Sequence, residues 1–431
     1  MGVGYMALQV QSLIGLIVIP LLAWALSENR RAREPARLLR IVLAGLALQL
    51  LVAAVMLNLA FVRVAFDWAA GLVASLQAAT NAGMRLVFGY LAGGTAPFEV
   101  VRPETSFILA FHALPLILLI SALSRLLYYW GVLQVVVRGA GWVLQRSLGV
   151  SGPVGTSAAA NIFVGMVEAP LLIRPYLANM SRGGLFATMT VGMAGVAGTV
   201  LALYATVIGS VVPGAAGHLI VASVISVPAA LMLSELMVPD HLAGAQAVGD
   251  TDIVIEDPPR SSMDAIAQGT REGIDLLVNV TAMLIVVVAL VALANQMLGF
   301  VSTPLGAKLT FEQMLGWLFA PLAWLIGIPW AECTSAGALL GVKTVLNEFV
   351  AYLQLAATGQ SVLSERSRLI LTYALCGFAN FGSLGIMIGG MAAMVPARRA
   401  EIASLGAKTL ISGTLATLMT AAVVGVVTPG Q

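Results

Sequence analysis

A chain of 431 residues that is 59% hydrophobic and only 10% charged cannot cover itself with a water-compatible surface, because soluble domains carry about a quarter charged residues. Its 22 basic and 20 acidic side chains leave a net charge of +2, too little for the basic face that a nucleic-acid backbone requires. Two cysteines (Cys333, Cys376) and three scattered histidines (His112, His218, His241) give no disulfide framework, metal-ligand spacing or cofactor motif, and no phosphate-binding glycine loop is present.

A membrane helix takes about 20 mostly apolar residues. In chain order, the first spans are expected near 8–26 and 41–60. The first has no basic segment before it and runs too long for a signal sequence, so it reads as a retained span. The loop between them, Ser27 to Arg40, carries Arg30, Arg31, Arg33, Arg37 and Arg40 against Glu28 and Glu34. The positive-inside rule places this loop in the cytoplasm and the N-terminus outside. A third span is expected near 106–124. Residues 127–150 read as an amphipathic interfacial helix, with Arg138, Gln145 and Arg146 turned away from its valines and leucines. Further spans follow near 184–208, 217–237, 276–297, 368–391 and 407–428, with a flexible polar linker at 238–273. Alternation puts Arg125, Arg138, Arg146, Arg398, Arg399 and Lys408 inside, in agreement with the first loop.

Two apolar stretches, about 155–180 and 330–357, are too interrupted to cross and are expected to re-enter and turn back within protein. The first holds Asn161-Ile-Phe-Val-Gly165-Met-Val-Glu168-Ala-Pro170, and the second Lys343 followed by Asn347-Glu348. Each is followed by a glycine-rich span and a closing span. The fold class is therefore an all-α polytopic membrane protein. It has about eight transmembrane helices, two re-entrant helical hairpins in an inverted repeat, and an interfacial helix. Paired broken segments point to the substrate site of a secondary transporter, since a break frees backbone groups that must bind something. A carboxylate within the membrane costs several kcal/mol unless it is used or neutralised. Lys343, five residues before Glu348, offers such neutralisation. Asn380 and Ser383 are spaced to lie on one helix face.

These strings closely resemble the concentrative nucleoside transporter family. The run from Asn161 to Pro170 is similar to its first-hairpin signature, in which Gly-Gln-Thr-Glu-Ala-Pro is usual. Asn347-Glu348-Phe-Val-Ala-Tyr352 and Cys376-Gly-Phe-Ala-Asn380-Phe-Gly-Ser383 look like the second-hairpin and following-helix signatures. Ser27-Glu-Asn-Arg-Arg31 and Leu315-Gly-Trp-Leu-Phe-Ala-Pro-Leu-Ala-Trp324 match as well, so the likeness covers nearly the whole chain.

The resemblance implies cation-coupled nucleoside import by a homotrimer in a bacterial inner membrane, with no nucleic-acid partner. It divides the chain into scaffold helices (1–126), the interfacial helix (127–150), a first transport repeat (151–237) and a cytoplasmic linker (238–273). A scaffold helix with an outer segment (274–329) and a second transport repeat (330–431) follow. Carried over, Glu348, Asn380 and Ser383 hold ribose and Phe378 packs near the substrate. Glu168 and Val200 lie on the base side with Met166 and Val167. Asn161, the Val164 carbonyl and the chain at Gly195 and Val196 correspond to a sodium site.

Three positions depart from the family pattern. Met166 and Val167 replace a Gln and a Thr that recognise the base, which implies an altered base preference or another polar solute. Gly195 replaces a Ser, which removes one oxygen ligand for sodium and leaves a proton carried by Glu168 as the alternative coupling ion. A membrane-embedded enzyme is the remote competitor, but no nucleophile–base pair or metal cluster accompanies the two carboxylates.

Overall fold

The computed structural model describes residues 2–30, 35–58, 60–99, 108–239, 258–302 and 309–428. Arg31, Arg33 and Glu34 of the first loop, His241, and the acidic linker residues Asp250, Asp252, Glu256 and Asp257 lie outside them. The described residues form helices and turns without a strand. The N-terminal part comprises α1 (Gly2–Ala25), α2 (Pro35–Asn58), α3 (Ala60–Phe88), α4 (Leu109–His112), α5 (Leu116–Tyr129) and α6 (Val132–Leu148). The first repeat comprises α7 (Gly152–Ala160), α8 (Glu168–Leu171), α9 (Arg174–Leu177), α10 (Arg182–Ala194), α11 (Gly198–Ile208) and α12 (Ala215–Met237). Two helices follow, α13 (Ser262–Ser302) and α14 (Phe311–Leu325). The second repeat comprises α15 (Trp330–Val345), α16 (Glu348–Ala357), α17 (Glu365–Leu375), α18 (Phe381–Met394) and α19 (Arg399–Val427).

Among the described residues, seven apolar helical stretches are long enough to cross a membrane: Leu8–Ala25, Leu38–Leu57, Leu109–Tyr129, Arg182–Ile208, Ala215–Met237, Ser262–Phe300 and Pro396–Val427. The span expected at 368–391 is not continuous. It is α17 and α18, separated by extended chain from Cys376 to Asn380. The span expected at 184–208 is likewise α10 and α11, interrupted at Gly195-Val196-Ala197. Both breaks sit in apolar sequence, so hydropathy runs through them unchanged.

The two interrupted segments are hairpins. The first is α7, an irregular tip at 161–167, and a second arm cut by Pro170 and Pro175 into α8 and α9. The second is α15, a two-residue tip at Leu346-Asn347, and α16.

Polar contacts show that the hairpins root at opposite faces. At one face the backbone N–H of Glu28, after α1, donates to Met237 O at the end of α12 (2.9 Å). The Glu28 carboxylate accepts from Arg182 at the start of α10 (2.8 and 3.0 Å) and from Lys408 in α19 (2.7 Å). Arg398 donates to Leu177 O (2.8 Å) and Met180 O (2.6 Å), fixing the end of the first hairpin at this same face. The opposite face joins the start of α1, the start of the second hairpin and the end of α19. There Gln11 donates to Trp324 O and Ile328 O, Glu332 accepts from Ser364 (3.1 Å), and Arg366 donates to Thr428 O (3.1 Å). Of the basic residues that the charge count assigns to the cytoplasm, Arg398 and Lys408 thus lie at the Glu28 face.

Arg182 and Lys408 hold the Glu28 carboxyl well below the usual range, lowered from 4.5 to about 2. Its contribution to stability is therefore complete above pH 4.5 and lost as the pH falls toward 2. Melting curves of the wild type and Glu28→Gln are expected to differ most above pH 4.5 and to converge toward pH 2. A gap that persists at low pH contradicts the ionic origin.

Three elements differ from expectation. α3 carries Arg63, Asp67 and Arg85 in its sequence, so hydropathy gives it no signal, yet Val73 and Leu76 pack on Leu116, Ile120 and Ala202. α13 starts at Ser262, so the last part of the expected linker is helix. Its Gly269 and Gly273 allow close approach to Ser121 and Leu118 of α5. In α6, Arg138 and Arg146 are exposed, but Gln145 turns inward and donates to Gly152 O (3.4 Å).

Candidate functional site

The breaks of the two repeats cross each other. Phe378 N donates to Gly195 O (3.1 Å), one break hydrogen-bonding to the other. The tip of the first hairpin joins the crossing through Gly198 N, which donates to Phe163 O (3.1 Å). The helices beyond the breaks, α11 and α18, and the second arm of the second hairpin, α16, all begin here. Helix N-termini present unpaired N–H groups and a partial positive charge, which favours an acidic side chain. Glu348 is the first residue of α16, and its N-cap Asn347 accepts from Val350 N (2.8 Å).

Around this crossing lies a cavity of about 500 Å³. It brings together all eight residues expected to face the substrate: Met166, Val167 and Glu168 from the first hairpin, Val200 from α11, Glu348 from the second hairpin, and Phe378, Asn380 and Ser383 from the second break. Its far wall is α5 and α13, with Ser124, Arg125, Glu272 and Asn279. There Arg125 pairs with Glu272 at 3.6 Å.

Glu348 is 5% exposed and accepts two hydrogen bonds. Oε1 takes the hydroxyl of Tyr204 at 2.6 Å, and Oε2 takes the amide Nδ2 of Asn380 at 2.9 Å. Lys343 does not hydrogen-bond to it. Its ammonium donates to Ala374 O (2.8 Å), near the end of α17, and to Thr417 Oγ1 (2.7 Å). Asn380 and Ser383 are not neighbours on a helix face. Asn380 is the extended N-cap of α18, and its Oδ1 accepts from Ser383 N (2.7 Å). This bond fixes which end of the Asn380 amide meets Glu348. Nothing in the sequence marks Tyr204 as a site residue, although it lies four residues after Val200 on the same helix.

The tip of the first hairpin, which also borders the cavity, is seated by its apolar side chains. Met166 packs over Gly192 and Val167 over Gly390, so that the tip bridges both repeats. Glu168 is exposed, and its carboxylate folds over Gly165 into the place that a Cβ there would take.

Of the expected sodium ligands, Val164 borders the cavity, while Asn161 and Val196 are buried. The Asn161 amide nitrogen donates to Val191 O (3.0 Å), so a cation would meet Oδ1. Gly195 makes room for that arrangement, because a Cβ would stand 2.7 Å from Asn161 Nδ2. The Ser226 hydroxyl lies 3.8 Å from the same point. Oxygen atoms of this kind suit a hard monovalent cation.

The chain matches three family models: Na+ dependent nucleoside transporter N-terminus over residues 14–91, nucleoside recognition over 110–211, and Na+ dependent nucleoside transporter C-terminus over 218–425. It is 42% identical to an uncharacterized transporter of Haemophilus influenzae, over 96% of each chain. It is 37% identical to the nucleoside permease NupC of Helicobacter pylori, also over 96% of each chain. It is 35% identical to the mouse solute carrier family 28 member 3, over 96% of this chain and 58% of that longer one. The solved structure of CNTnw in an inward-facing substrate-bound state aligns with a TM-score of 0.87 at 37% identity, covering 97% of this chain and 98% of that one. A CNTnw variant in an outward-facing state gives 0.89.

Proposed function

The chain belongs to the concentrative nucleoside transporter family, a family of transporters and not of enzymes, and from that membership we propose that it imports nucleosides with Na+ as a secondary-active symporter. The observation that carries this reading is that Glu348, Asn380, Ser383 and Glu168 all line one cavity. The Glu348 carboxylate accepts from ribose hydroxyls, with Asn380 and Ser383 completing the cradle and Phe378 and Val200 packing on the substrate. Glu168 accepts from the base. Met166 and Val167 are committed to packing, so few groups remain to reject one base against another, and base selection is broad.

Asn161 Oδ1, the backbone at Val164, Gly195 and Val196, and the Ser226 hydroxyl take the sodium ion. The hairpins and broken spans move against α5 and α13, which line the cavity's far wall. The long α13 exposes Ile285, Leu290 and Phe300, apolar surface suited to lipid and to two further copies in a homotrimer. The location is a bacterial inner membrane, with the N-terminus outside and the Glu28 face inside.

Uptake of labelled uridine and adenosine into proteoliposomes, driven by a sodium gradient alone or a proton gradient alone, tests the proposal. Accumulation above equilibrium under sodium is expected, with unlabelled purine and pyrimidine nucleosides both competing. Accumulation under the proton gradient only overturns the sodium assignment, and a panel in which no nucleoside competes gives the site to another polar solute.

A further inference from the structure

Glu348 borders the cavity, yet both of its oxygens already have a protein donor, Tyr204 on Oε1 and Asn380 on Oε2. Neither donor is free to turn away. Asn380 is held through its Oδ1 by Ser383 N. Tyr204 is 3% exposed, with its ring stacked on Phe349 (5.8 Å between centroids, 27°) and tilted against Tyr352 (5.1 Å, 41°). The hydroxyl comes from the first repeat and the carboxylate from the second. Tyr204 also borders the cavity beside Val200, yet nothing in the sugar-binding set above includes it.

Resting on the reading that the sugar binds at Glu348, we propose that Tyr204 is a sugar-selectivity residue, whose hydroxyl stands in for a substrate hydroxyl on the carboxylate. Each carboxylate oxygen has two acceptor positions. A buried acceptor normally rejects a substrate lacking the matching hydroxyl, because the acceptor is then left bare. Here Oε1 keeps one donor whether or not the sugar reaches it. The loss on removing a sugar hydroxyl is confined to a single bond, and deoxyribose cargo is tolerated. Phenylalanine at 204 keeps the ring between Phe349 and Tyr352 but removes the donor. Oε1 then depends on the sugar alone, and the demand for a complete ribose becomes stricter.

The test compares uridine, 2′-deoxyuridine and 3′-deoxyuridine in proteoliposomes of the wild type, Tyr204→Phe and Tyr352→Phe. Tyr352 donates to Thr372 O (2.8 Å) and not to Glu348, so its variant controls for loss of a neighbouring phenol. In Tyr204→Phe the KM penalty for at least one deoxy analogue is expected to rise about tenfold or more, the effect of leaving a charged acceptor unpaired. Vmax stays near the wild-type value, and Tyr352→Phe keeps the wild-type penalties. Penalties in Tyr204→Phe that stay within about twofold of wild type, or that shrink, overturn the proposal. So does a Tyr204→Phe protein that no longer elutes as a folded species, because the hydroxyl is then a structural tie. A wild type that takes up none of the three compounds overturns the nucleoside reading, and this assignment with it, from the wild-type arm alone.

Discussion

Glu348→Gln is expected to weaken nucleoside binding by about two orders of magnitude or more while leaving a folded protein. The carboxylate accepts from Tyr204 and Asn380 and, on the proposed reading, from the sugar. A glutamine amide has one oxygen where the carboxylate has two. If its NH2 faces Asn380, donor meets donor. If it faces Tyr204, the phenol must give up its role as donor. Hydrogen bonds to a charged group contribute about 1.5–3 kcal/mol each, so losing two of them toward the sugar corresponds to a factor of about 10² to 10⁴. Calorimetric titration of uridine on purified protein measures this directly. A change in Kd below about tenfold removes Glu348 from the binding set.

The second large effect is expected at the crossing of the two breaks. A Cβ on Gly377 would stand 2.6 Å from Thr417 Cγ2, 2.9 Å from Ala194 O and 3.0 Å from Met193 O. Two of these neighbours are backbone atoms of the other repeat and cannot rotate away. Gly377→Ala must therefore push the repeats apart, straining the bond from Phe378 N to Gly195 O. Overpacking of this kind costs about 1–3 kcal/mol, and the distortion falls on the backbone that shapes the cavity. A lowered melting temperature together with at least a tenfold loss of uptake is expected. Gly385→Ala in α18, where a Cβ meets nothing within 4 Å, should leave the melting temperature unchanged. An unaltered melt for Gly377→Ala contradicts the crossing.

Much of the membrane architecture is legible in the sequence because the lipid solvent leaves a coarse signal. Long apolar runs mark the spans, and the arginines near Ser27 and Arg398 mark one face. The hairpins are legible because Pro170, Pro175 and Lys343 interrupt otherwise apolar sequence. The breaks at Gly195 and Cys376–Asn380 leave no such mark. Glycines in an apolar run read equally well as a packing surface, and only the fold shows that Phe378 N meets Gly195 O. α3 is hidden for the opposite reason, since its charged residues mask an apolar face.

Within the site, the residue types at Glu168, Glu348, Asn380 and Ser383 are visible, but their relations are not. Spacing of three residues suggests Asn380 and Ser383 side by side on a helix, whereas Asn380 caps that helix from outside. Proximity in sequence suggests Lys343 as the partner of Glu348, whereas the lysine turns to Ala374 O. Tyr204 is invisible because a tyrosine in an apolar span reads as core until the other repeat places a carboxylate 2.6 Å away.

On the proposed reading, one cavity bordered by both hairpin tips holds a nucleoside with its sugar at Glu348. Determining the structure with uridine bound at saturation tests it most directly. Sugar hydroxyls are expected within hydrogen-bonding distance of Glu348, with the base toward Glu168 and over Met166 and Val167. A nucleoside found outside this cavity, or seated in it with the base at Glu348 and the sugar at Glu168, would contradict it.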